Sequence, residues 1–196
     1  AQVLIAVIDG PTALEAPLAL NLDSQGGGTL GLEMDGGSLT TEAERIYVLL
    51  MDTGRRAHGG ASGIYFFGLY DDAGTLLPAE AVTRLRMAIP FDPRVAPGTA
   101  LSSGAYALLQ ADSLADFFSG DTAAAQRTIS TDAFVAVDAA KGQVSFDTSR
   151  CLFFGAVPGD TVAGRRVDGG QFESPDNERL GEGCFIRSLH ALDRRK

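Results

Sequence analysis

Apolar residues recur at every second position along much of this chain. "LALNLD" (18–23) and "LGLEMD" (30–35) put Leu18, Leu20 and Leu22, then Leu30, Leu32 and Met34, on one side, with Asn21 and Glu33 on the other. Alternation of period two buries one face of a β-strand, because successive side chains point to opposite faces. The intervening "SQGGGT" is rich in glycine, which adopts the positive φ of tight turns at little steric cost. The pair predicts a β-hairpin with Leu20 and Leu32 turned inward.

"RIYVLLMD" (45–52) and "GIYFFGLYDDAG" (63–74) predict two further strands, each ending in an Asp-containing turn. "VTRLRMAIPFD" (82–92) sets Arg84 and Arg86 against Leu85, Met87 and Ile89, and its strand should stop near Pro90, which has no N–H for a ladder. "GAYALLQAD" (104–112), "FVAVD" (134–138), "QVSFD" (143–147), "CLFFGAV" (151–157), "GRRVDGGQF" (164–172) and "CFIRSL" (184–189) complete the set. "QVLIAVID" (2–9) is apolar on both faces, which predicts a strand covered on both sides or central in a sheet, with residues 3–8 hydrogen-bonded along their length either within the chain or across to a partner.

Two segments depart from this period. "SLADFFSGDTAAAQ" (113–126) predicts one short helix, with Ser113 and Asp116 spaced as a capping box and Gly120 as its terminator. "PFDPRVAPGT" (90–99), with Pro90, Pro93 and Pro97, predicts a crossover between sheets or a boundary between halves. About ten short strands with turn signals roughly every eight to twelve residues are the mark of a sandwich or barrel. The expected fold is therefore all-β, an antiparallel β-sandwich in a single domain over 1–196.

Charge narrows the function. The net charge is −9 and lysine occurs only at 141 and 196, so the chain lacks the basic footprint that a phosphate backbone requires. The arginine doublets at 55–56, 165–166 and 194–195 read as solvated strand ends and tail. No apolar run approaches the roughly 18 residues of a membrane-spanning helix. An Ala-Gln start matches what cleavage at a small-residue signal-peptidase site leaves, so the expected location is exported: periplasmic, cell-surface or extracellular.

Candidate chemistry is sparse. "GGGTLG" (26–31) satisfies G-x-G-x-x-G, but a strand follows it instead of the helix N-terminus that dinucleotide binding needs. Ser62 lies near His58 without a G-x-S-x-G elbow. Two His and two Cys, widely spaced, do not form a clustered zinc set. Cys151 and Cys184 form an even pair without C-x-x-C spacing, which in an exported chain predicts one disulfide, adding about 3–4 kcal/mol in the loop-entropy account. Aspartates 23, 35, 52, 71, 72, 92, 112, 138, 147 and 160 fall at strand ends or turns, where Asp bonds its own backbone. Asp71 and Asp72 in "YDDAGT" are the candidate calcium ligands.

No compact catalytic set emerges, and no other cofactor is expected. The expected role is a non-enzymatic exported sandwich that binds a protein partner or self-assembles, as part of an extracellular or cell-envelope structure. One alternative is a calcium- or carbohydrate-binding module, with Tyr65, Tyr70 and Tyr106 standing in for the absent Trp as sugar platforms. Another is a hydrolase using the turn carboxylates.

Overall fold

The structure, a computed structural model, describes residues 1–118, 126–128 and 134–159. Among them, eleven strands form two antiparallel sheets: β1 (Gln2–Asp9), β2 (Leu18–Asp23), β3 (Thr29–Met34), β4 (Arg45–Asp52), β5 (Tyr65–Tyr70), β6 (Leu85–Pro90), β7 (Tyr106–Ala111), β8 (Gln126–Thr128), β9 (Phe134–Asp138), β10 (Gln143–Thr148) and β11 (Phe153–Pro158). The six-stranded sheet runs β1-β4-β5-β11-β7-β8 and the five-stranded sheet β2-β3-β6-β10-β9. The all-β sandwich read from the period-two pattern is what the chain forms.

The predicted hairpin is β2 and β3, with Leu20 opposite Leu32 and Leu22 opposite Leu30. Leu30, Leu32 and Met34 are buried and Glu33 is exposed, so the inward register holds. Leu18, Leu20 and Leu22 are only half-buried because β2 is the edge of its sheet. The glycine run is the turn: Gly27 and Gly28 have φ of 90° and 81°, and a Cβ on Gly28 would lie 2.6 Å from the Pro90 Cβ. A left-handed backbone pressed on a neighbouring strand leaves room only for glycine.

Between the sheets, Leu30 and Leu32 of β3 join Ile46, Val48 and Leu50 of β4, Phe67 and Leu69 of β5, Leu85, Met87 and Ile89 of β6, Phe146 of β10 and Phe154 of β11 in one core. Smaller apolar clusters lie on the outer face of the six-stranded sheet. Phe117 and Leu114 pack with Ile64, Leu109 and Val157 over the β7–β11 side. Leu49, Met51, Phe66 and Tyr70 line the β4–β5 side.

Two expectations are corrected. Within the predicted helix over 113–126, Leu114–Phe117 form a 3-10 turn and Gln126 belongs to β8, while residues 119–125 lie outside the described residues. The capping-box geometry survives at that turn, where the Ser113 N–H donates to Asp116 Oδ2 at 3.1 Å. The α-helix, α1 (Pro97–Ser102), lies instead in the proline-rich connection. Pro97 stands in its first turn, where a missing N–H costs nothing. That connection does cross over, carrying the chain from β6 in one sheet to β7 in the other. Lastly, β1 is neither central nor covered on both faces: among the described residues it pairs with β4 alone and forms the edge of the six-stranded sheet. The predicted strands at 164–172 and 184–189 lie outside the described residues.

Candidate functional site

Polar side chains converge where the β2–β3 turn, the β4–β5 connection and the end of β6 meet. Asp52, the last residue of β4, is buried and accepts three hydrogen bonds. Ser24 Oγ and the Gln25 N–H reach its Oδ2, each at 2.9 Å, and the Gly54 N–H reaches its Oδ1 at 2.8 Å. Since Ser24 gives its proton to Asp52, the Tyr65 hydroxyl 3.1 Å away is the donor to Ser24. Burial raises the Tyr65 phenol above its ordinary value. A second buried carboxylate, Asp92, follows β6. It accepts Arg94 Nε at 2.9 Å, Arg94 Nη2 at 2.7 Å, Arg56 Nη1 at 2.7 Å and the Arg94 N–H at 3.0 Å. The guanidinium of Arg94, followed by that of Arg56, holds the Asp92 carboxyl well below the usual carboxylate range.

Of these groups, Arg56, Tyr65 and Asp92 line a notch with Gly26, Gly27, Ser62, Gly63, Pro90 and Phe91. The notch encloses essentially no space for a ligand, whereas small-molecule pockets are usually about 300–1,000 Å³. Its polar atoms are also committed inward. Ser62 is buried, donates to the Gly63 carbonyl at 2.7 Å and accepts the Ala156 N–H at 2.7 Å, while His58 is exposed on the surface. The notch therefore ties three loops to one end of the sandwich, as satisfied buried polar groups do.

The residues singled out from sequence have separate fates. Asp71 Oδ1 accepts the Ala73 and Thr75 N–H groups at 2.9 and 2.8 Å, so the carboxylate closes its own turn. Asp72 is exposed beside it, and among the described residues no three His, Cys, Asp or Glu side chains gather as metal ligands. Of the possible sugar platforms, Tyr65 and Tyr70 are buried and Tyr106 is half-buried. Burial pushes the Tyr70 phenol up to about 12. Cys151 is buried, and burial pushes its thiol up to about 12. Cys184, its expected disulfide partner, lies outside the described residues.

The outward-directed site is β1. Leu4, Ala6 and Ile8 turn toward the core, whereas Val3, Ile5 and Val7 are 49%, 42% and 53% exposed. Backbone direction follows from one bond. The Gly10 N–H donates to the Glu44 carbonyl at 2.7 Å, one step beyond the ladder pair of Asp9 and Arg45. Alternate residues of an antiparallel strand aim both backbone groups at the same neighbour. Leu4, Ala6 and Ile8 thus bond β4, and Val3, Ile5 and Val7 turn their N–H and C=O groups to the outer edge. The far side of β4 agrees: the Thr53 N–H donates to the Ile64 carbonyl at 3.1 Å, one step beyond the Asp52–Tyr65 pair, so odd positions of β4 face β5 and even ones face β1.

The same register aligns apolar rows across the outer face. Val3 lies beside Met51 and then Phe66, and Val7 beside Tyr47 and then Tyr70. The first row continues to Phe153, whose ring centroid is 4.8 Å from that of Phe66. Among the described residues these rows end at β1, the edge of the sheet. The sequence signal for this site is the two-sided apolarity of residues 2–9, which points to cover on both faces, by pairing within the chain or across to a partner. Comparison with known proteins matched the chain to no family model, no curated protein and no solved structure.

Proposed function

We propose that the chain is a non-enzymatic β-sandwich that works by strand-mediated protein binding, as a partner-binding or structural subunit of an extracellular or cell-envelope assembly. One observation carries the reading. The polar groups at the loop end bond one another, whereas β1, among the described residues, presents unpaired backbone groups and exposed Val3, Ile5 and Val7 together. An edge of this kind is a template for another strand, and soluble proteins usually blunt it with lysine, proline or a bulge. β1 has none of these along its continuous register with β4.

The test is particle size in native material. The chain should run larger than one copy, and Ile5→Lys, which places a charge on the edge, should shift it to smaller size. A native chain running as a lone monomer, unmoved by the substitution, would overturn the proposal. Export and a Cys151–Cys184 bond belong to the same reading. Denatured, unreduced protein should then show no alkylatable thiol by mass, and two alkylated cysteines would remove that part. A calcium role for Asp71 and Asp72 would need oxygen ligands beyond these two carboxylates.

A further inference from the structure

The geometry points to a second copy of this chain as the partner of β1, joined edge to edge about a two-fold axis at Ile5. This rests on the strand-mediated reading above and names its occupant. The residues whose backbone groups face outward are Val3, Ile5 and Val7, and their order is itself two-fold, with a valine on either side of the isoleucine. A closed, isologous contact needs a self-complementary patch, and this edge is one.

In an antiparallel ladder centred there, Val3 faces Val7 of the partner subunit and Ile5 faces Ile5 of the partner subunit. Each pair exchanges both N–H···O=C bonds, because all three positions direct their backbone outward. The side chains of these pairs fall on the outer face, where aliphatic cross-strand pairs stabilise a sheet. The rows from Phe66 through Met51 to Val3, and from Tyr70 through Tyr47 to Val7, would then continue into the second copy. The charged end raises no objection. Asp9 is engaged by Arg45 Nε at 2.8 Å and lies at the extremity of the strand, so the two copies of Asp9 sit at opposite ends of the ladder. A partner of unrelated sequence would meet the same free backbone but would have no reason to match the spacing of valine, isoleucine and valine.

Purified protein alone decides this, by concentration-dependent sedimentation together with cysteine bridging. The wild type should dimerise, and Ile5→Lys should raise the dimer Kd at least about tenfold. Its thermal midpoint at low concentration should stay close to wild type, since residue 5 is solvent-facing. Ile5→Cys should bridge two copies under mild oxidation, above the wild-type background, because paired Cα atoms lie about 5.5 Å apart. Val3→Cys alone should not bridge, with its counterpart about 14 Å away along the ladder. Mixing Val3→Cys with Val7→Cys should restore bridging. A monomeric wild type at high concentration, or equal bridging by Val3→Cys and Ile5→Cys, overturns the self-pairing. If the purified chain is monomeric while Ile5→Lys still shrinks the native assembly, the self-pairing fails and strand-mediated binding of another protein stands.

Discussion

Leu32 and Glu33 are neighbours in β3 with opposite surroundings, one buried between the sheets and the other exposed. Leu32→Ala should cost about 2–5 kcal/mol in chemical unfolding, the usual sum of lost transfer energy and residual cavity. Glu33→Ala should change stability by less than about 0.5 kcal/mol. Equal costs would mean that the register of the hairpin is off by one residue. Alternation made this contrast legible, since it needs only the period of the pattern. The turn aspartates were legible for a similarly local reason: Asp35 Oδ1 accepts the Gly37 N–H at 2.9 Å and Asp138 Oδ1 the Lys141 N–H at 3.1 Å.

Asp92 was not legible in its main role, because Arg56 comes from a doublet far away in sequence that read as solvated. Its consequence is a pH dependence. A carboxyl held low in the native state but ordinary in the unfolded chain adds stability that is complete above about pH 4 and lost as pH falls below it. Asp92→Asn should lower the thermal midpoint at neutral pH, and the gap from wild type should narrow as pH is taken to about 3. A gap unchanged across that range would show that the carboxylate charge contributes nothing at this site.

Among the elements, β1 separates what a pattern can say from what it cannot. Its two apolar faces were plain in the sequence, and burial of both was the natural inference for a strand. Only the sheet order and the exposures show that, among the described residues, one face and one edge remain open. The other face is structural, since Ile8 is buried, Leu4 and Ala6 pack on the core, and Gln2 through Asp9 pair with Asp52 through Arg45. Deleting residues 1–8 should therefore abolish cooperative unfolding, as followed by circular dichroism. A truncated chain that melts as sharply as the whole would show that β1 is dispensable to the fold. The helix over 113–126 was misplaced for a related reason: its capping residues form a local turn equally well, and β8 pairs with β7 beyond the reach of local propensity.

For the whole molecule, the two-sheet architecture was legible because both sheets obey one period and the proline-rich connection marks a passage between them. The distribution of free bonding capacity was not, since it depends on which strands become edges. Carboxylates and hydroxyls at the loop end are spent on holding loops together, while the apolar rows of the six-stranded sheet run out to an open β1. That contrast is the basis for reading the molecule as a binding unit that pairs through β1. Residue-resolved amide hydrogen exchange of β1, recorded across a range of protein concentrations, tests it most directly. In dilute solution Leu4, Ala6 and Ile8 should be protected and Val3, Ile5 and Val7 should exchange freely. At high concentration the three odd-numbered amides should become protected as well. Protection of Val3, Ile5 and Val7 that is already complete in dilute monomer, or that never develops on concentration, would contradict the account.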